Sequence, residues 1–166
     1  CLTLTGFDVN VGAGPQTIEI YYRTGGYAGF ETNAGAWTLL GSANVTGNGV
    51  GVPTSVAVGG LPLQPGVIYG LYVTTTGGTM YYTNGATVYD NGALRLTTGV
   101  GKSYPFGGTF DPRTWNGTVY YEPCEQVGTG INFVDGRLNR YDAAAPVVVY
   151  VHSFEDGYGL VIYDAY

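Results

Sequence analysis

The chain has 166 residues, among them 29 glycines, 16 tyrosines and a single lysine, and only 11% of it is charged, where an average soluble domain carries about 25%. Its formal charge is −6, and its six cations (Arg23, Arg95, Lys102, Arg113, Arg137 and Arg140) are scattered, so no basic stripe exists to neutralise nucleic-acid phosphates or an anionic membrane surface. At 45% hydrophobic and 14% aromatic the chain has apolar surface enough to fold, and its longest apolar runs, such as Val147 to Val151, are the length of a strand and give no membrane span.

Taken in chain order, nearly every segment alternates with period two and none has a helical period. The strands predicted are Leu2–Val9, Thr17–Tyr22 after the breaker Gly12-Ala13-Gly14-Pro15, Trp37–Val45, Ser55–Val58, Val67–Thr74, Met80–Tyr82, Val88–Tyr89, Leu94–Thr97 and Thr118–Tyr121. Glycine and asparagine dipeptides punctuate them, and Asn84-Gly85 and Asn91-Gly92 suit the type I′ hairpin turn, which needs positive φ at both central positions. Many short strands at this spacing predict an all-β fold, an antiparallel β-sandwich of jelly-roll-like character over residues 1–122. Residues 123–166 read as a linker, polar from Glu125 to Asn132, a helical turn within Asp135 to Ala145 stopped by Pro146, and an apolar β-hairpin made of Val147–Val151 and Leu160–Tyr163. A lone hairpin of that kind is not stable in water. It must pack on the sandwich, pair with other strands or be exchanged with a neighbouring subunit, which makes Val147, Val149, Val151, Leu160 and Ile162 the assembly candidates.

Cys1 and Cys124 bracket the main body. A bridge between them would close nearly the whole domain and stabilise it by roughly 4–5 kcal/mol in the chain-entropy model. The alternatives are two free thiols, or a Cys1 lipidated as in a bacterial lipoprotein. Scarce lysine with abundant Thr, Gly and Tyr fits an exported protein, in a compartment where disulfides persist. The start at Cys1, with neither Met nor a signal-like segment, is that of a mature or excerpted chain.

Several stretches carry a resemblance: Leu4-Thr5-Gly6-Phe7-Asp8-Val9-Asn10, Ile20-Tyr21-Tyr22-Arg23-Thr24-Gly25, Gly29-Phe30-Glu31-Thr32, Ala36-Trp37-Thr38-Leu39, Tyr69–Val73, Tyr82–Gly85, Gly101–Gly107 and Pro112–Tyr121. Together they resemble a β-sandwich domain of large secreted or anchored surface proteins of environmental bacteria, Chloroflexi-like ones among them, over about residues 1–121. Asp135–Asn139 with Ala145–Tyr150 is similar to a segment of other such exported proteins. The resemblance implies an extracellular or cell-surface location and brings no catalytic residues to carry over. That family has a further strand upstream of the position of Cys1, so an open edge or groove is expected here, a place for strand addition. Repeated head to tail, such a contact builds an open filament.

Chemistry-bearing motifs are sparse. His152 is the only histidine, with no nucleophile signature beside it, and one histidine makes a poor base for a zinc site. Asp135-Gly136 with Asn139 and Asp142 is similar to half a calcium loop, but Ile131 and Phe133 would then fill ligand positions without side-chain oxygen. Glu19, Glu31, Glu122 and Glu125 could pair with an aspartate for glycoside hydrolysis, a separation that sequence does not test. No catalytic residue, cofactor or metal is therefore assigned. Asn44-Val45-Thr46 and Asn116-Gly117-Thr118 match the N-glycosylation pattern. The dense aromatics suit strand packing, a subunit interface or sugar stacking, with Trp37, Trp115 and Tyr82 as candidates for an aromatic face. The expected function is that of an extracellular structural protein, self-assembled into a filament, sheath or surface layer by strand exchange or edge pairing; a carbohydrate-binding or adhesive module is the alternative, and an enzyme is disfavoured.

Overall fold

The computed structural model describes residues 1–124, 132–134, 137–139, 148–151 and 160–163. The chain divides into two compact units, Cys1–Cys124 and Glu125–Tyr166. The first is all-β, with one 3-10 turn at Ala34–Ala36 and no α-helix. Its strands are β1 (Leu2–Val9), β2 (Gly14–Thr24), β3 (Thr38–Gly47), β4 (Thr54–Val56), β5 (Leu61–Leu63), β6 (Tyr69–Thr75), β7 (Tyr82–Asn84), β8 (Thr87–Asp90), β9 (Arg95–Thr98), β10 (Gly101–Lys102), β11 (Thr109–Phe110), β12 (Arg113–Trp115) and β13 (Gly117–Pro123). The second unit contributes β14 (Asn132–Val134), β15 (Arg137–Asn139), β16 (Val148–Val151) and β17 (Leu160–Tyr163).

Two antiparallel sheets face each other in the first unit. In one, β1 lies at the centre, bonded to β13 on one side and to both β4 and β5 on the other; in the other the order is β3-β2-β6. The core between them is Leu4, Phe7, Val9, Ile18, Ile20, Val56, Val58 and Leu61, with Val11 beside them. The sequence of β1 shows why it sits there. Leu2 and Leu4 alternate on even positions, whereas Phe7 and Val9 alternate on odd ones, so a regular strand would turn one pair outward. A bulge at Thr5, between the pairs Leu4–Tyr121 and Gly6–Tyr120, restores the phase and lets Leu4, Phe7 and Val9 all face inward. On the opposite side the chain between β4 and β5 bows toward the same point. A Cβ on Gly59 would lie 2.7 Å from the Thr5 backbone, so only glycine permits this approach.

Strand β2 buries Ile18 and Ile20 inward and directs Glu19, Tyr21 and Arg23 to the outer face, paired respectively with Thr74, Tyr72 and Gly70 of β6. Between β6 and β13 the chain forms smaller ribbons, β7 with β12, β8 with β9 and β10 with β11. Cys1 and Cys124 are joined, with Cα atoms 5.3 Å apart, and the Cys124 amide donates to the Cys1 carbonyl at 3.1 Å. The bridge therefore ties the entry of β1 to the exit of its partner β13.

Some expectations are corrected. Asn84-Gly85 does not join a hairpin, because β7 pairs with the distant β12 and not with β8. Asn91-Gly92 does lie between paired strands, but Asn91 lacks the positive φ of a type I′ turn; its Oδ1 instead accepts from the Ala93 and Leu94 amides, an Asx-stabilised longer loop. Residues 137–139 form a strand paired with β14, which Asn132, expected to end the linker, starts; the rest of the stretch expected to hold a helical turn, 135–136 and 140–145, lies outside the described residues. β1 is bonded on both sides, so the open edges of the sheets lie at their margins and not along the first strand. In the second unit β16 and β17 form a two-stranded sheet in which Val149 pairs with Ile162 and Val151 with Leu160. Val147, His152, Asp135, Gly136 and Asp142 lie outside the described residues.

A double variant Cys1→Ser/Cys124→Ser is expected to lose about 4–5 kcal/mol of stability, because the bridge closes a loop of 123 residues. Denaturant unfolding of both proteins measures this, and equal midpoints would show that the bridge does not constrain the unfolded chain.

Candidate functional site: an aromatic outer face and the sheet edges

The outer face of the β3-β2-β6 sheet carries a second cluster of rings, separate from the core. Tyr21 and Tyr72, direct cross-strand partners, stack at 5.8 Å. Two loops cover them. Trp37, just before β3, meets Tyr72 at 6.2 Å and is fixed by its indole N–H donating to the Phe30 carbonyl at 2.9 Å. Phe106, in the loop joining β10 to β11, lies 4.8 Å from Tyr72, 5.2 Å from Tyr21 and 6.1 Å from Trp37. As a result Tyr72 is only 8% exposed although it is on the sheet's outer side.

Phe106 has φ +52, a left-handed conformation that costs a non-glycine residue roughly 1–2 kcal/mol. Ring packing on three neighbours holds it there, together with the ties of its loop. The Gly107 amide donates to the Ser103 carbonyl at 2.8 Å and the Ser103 amide to the Gly108 carbonyl at 3.0 Å. The Lys102 ammonium donates to the Gly107 carbonyl at 2.5 Å and to the Thr109 hydroxyl at 2.8 Å. Burial pulls the Lys102 pKa down, and Glu31 opposes that shift.

Glu19 is the polar centre of this face. The Tyr21 hydroxyl donates to its Oε2 at 2.8 Å. Burial, then this hydrogen bond and the carboxylate charge, push the Tyr21 pKa up to about 12. The Tyr104 phenol is also shifted up, by desolvation first and by Glu19 next. The Tyr72 hydroxyl is buried and has no hydrogen-bond partner among the described residues, an arrangement that ordinarily costs about 1–3 kcal/mol. Tyr104 (42% exposed) and Leu39 (49% exposed) present apolar surface beside the cluster, and the Arg23 guanidinium lies 3.7 Å over the Phe30 ring.

The three aromatic-face candidates do not form one platform. Trp37 belongs to the outer-face cluster. Trp115 and Tyr82 are cross-strand partners on β12 and β7; Trp115 packs edge-on against the core ring of Phe7 at 6.5 Å, and Tyr82 is exposed with the Arg113 guanidinium 5.0 Å from its ring. Of the glycosylation candidates, Asn44 is exposed on β3 and its Oδ1 accepts from the Thr17 hydroxyl. Asn116 is half-buried, accepts from the Thr83 hydroxyl at 3.1 Å and lines a cavity of about 210 Å³ with Asp8, Asn10, Val52 and Thr118. Asp8 in turn accepts from the Tyr120 hydroxyl at 2.7 Å, a bond that raises the Tyr120 pKa. Phe106 and Tyr104 belong to the dense aromatics of the sequence but are not among the three candidates for a face. Their turn-like Ser-Tyr-Pro-Phe-Gly-Gly context signals a loop, but not that the loop returns over Tyr72 of β6 and Tyr21 of β2.

No family model, curated protein or solved structure matches this chain.

Ultraviolet titration is expected to show a tyrosine ionising near pH 12, and Glu19→Gln is expected to lower that value. Because the folded pKa lies above the ordinary 10, the stability linked to Tyr21 is fully present below pH 10 and is lost as pH rises from there toward 12. A titration unchanged by Glu19→Gln would contradict the arrangement.

Proposed function

We propose that this chain is an extracellular structural protein, a subunit of a filament, sheath or surface layer in which copies join by β-strand exchange or edge-strand pairing. The observation that carries the reading is the β16–β17 ribbon, a two-stranded sheet in which Val149 pairs with Ile162 and Val151 with Leu160. An isolated two-stranded ribbon is marginal in water, and three or more strands are needed for independent stability. The same chain carries a sandwich with lateral edges, and an unprotected sheet edge is a row of backbone donors and acceptors able to take a further strand. The disulfide and the low content of charge fit an oxidising, extracellular setting. Donor ribbon and acceptor edge are different surfaces, so the contact is heterologous, and its repetition gives an open polymer.

A second reading, adhesion to glycans, is favoured by one observation. The Glu19 carboxylate and the exposed Tyr104 ring lie together on the outer face, a mixture of stacking surface and polar group that suits a sugar ring.

Electron microscopy of the full chain is expected to show regular fibres or sheets that survive mild detergent, and deletion of residues 147–166 is expected to abolish them. Discrete monomers that bind polysaccharide, and lose the binding in Tyr104→Ala, would replace assembly with the adhesive reading.

A further inference from the structure

Resting on the assembly reading, we infer that the acceptor is the free edge of β3, over Gly41–Gly47, and that its occupant is the β16–β17 ribbon of a second copy of this chain. The sandwich has four lateral edges. On β6 four of seven residues, Gly70, Tyr72, Thr74 and Thr75, are buried, where β3 buries only Gly47, so β6 is the less open of the two edge strands. The β13 edge ends in Glu122 and Pro123, and the β8–β9 loop reaches it where Asn91 donates to the Tyr121 hydroxyl at 2.7 Å. The β4/β5 edge is broken by the bow at residues 57–60, and Pro62 withholds a backbone donor. Charge, proline and irregularity are the means by which natural sheets blunt their edges.

β3 has none of these defences over its last seven residues. Gly-Ser-Ala-Asn-Val-Thr-Gly is free of charge and proline and pairs in unbroken register with Gly14–Ile20 of β2. Only Gly47 of the whole strand is buried. Ala43 and Val45 pack toward the core, whereas Ser42, Asn44 and Thr46 are exposed, so an added strand would extend the core on one face and meet small neutral side chains on the other. Exposed apolar residues flank the strand at both ends: Leu39 at its start, and Val50 and Val52 just past its finish. An uncharged apolar strand would cover them. Val147–Val151 is the longest such run in the chain, and among the described residues the ribbon that carries it has two strands, short of the three that independent stability needs. One contact meets both needs.

The test uses the full chain with a photo-cross-linking phenylalanine at position 42 on β3 or, as the comparison, at position 118 on β13. Cross-linked dimers from position 42 whose joined peptides map to residues 148–163, with none of these from position 118, are expected. Ser42→Lys is expected to raise the concentration needed for assembly at least tenfold, while Thr118→Lys leaves it unchanged. Ribbon cross-links from position 118, links from position 42 confined within one chain, or links joining β3 to β3 would each overturn the β3–ribbon contact while fibres still form. A wild-type chain that forms no assembly overturns both this contact and the reading beneath it.

Discussion

The pairing of β1 on both sides is the constraint on which the rest of the molecule depends. Its inward residues Leu4, Phe7 and Val9 meet Ile18 and Ile20 of the facing sheet, so one strand supplies both the central hydrogen-bond ladder and much of the buried apolar surface. The two halves of β1 alternate out of phase, and the bulge at Thr5 reconciles them. The close pass of Gly59 at the same point lets a single stretch of chain, β4 and then β5, follow β1 around that irregularity. The disulfide fixes the start of β1 to the end of β13, so the strand that organises the core is also the one whose unfolded alternatives are most restricted.

From that centre the edges follow. With β1 inside its sheet, strand addition can occur only at the margins, and the margins differ in their protection. The long excursion between β6 and β13 sends its β10–β11 loop back over the β3-β2-β6 sheet and its β8–β9 loop to Tyr121 of β13. The same excursion supplies Phe106, whose left-handed backbone is held by three rings. The outer face is thus assembled from segments distant in sequence, stiffened by aromatic packing and by Lys102, and given its polarity by Glu19.

Much of this was legible in the sequence where alternation is local and strong. Leu2–Val9 coincides with β1, and the cores of β2, β3, β6 and β13 fall within the expected strands. The Cys1–Cys124 bridge was one of three open readings and is the one formed. What the sequence did not reveal depends on non-local pairing. Asn84-Gly85 has the composition of a hairpin turn, yet the partner of β7 is 30 residues away in β12, because Trp115 is drawn to Phe7 and brings its strand along. β10 and β11 are two residues each, too short to carry a period. The aromatic candidates were chosen by residue type, but type alone does not separate Trp115, spent on the core, from Trp37, placed on the outer face.

Hydrogen–deuterium exchange of the full chain across its assembly concentration tests the central claim most directly. A free edge exchanges its outward amides quickly, and a paired one does not. Protection that rises with assembly at residues 41–47 and 148–163 together, with residues 117–123 unchanged, is the predicted result. Exchange at 41–47 that is the same in the monomer and the assembly, or protection gained at 117–123 instead, would contradict it.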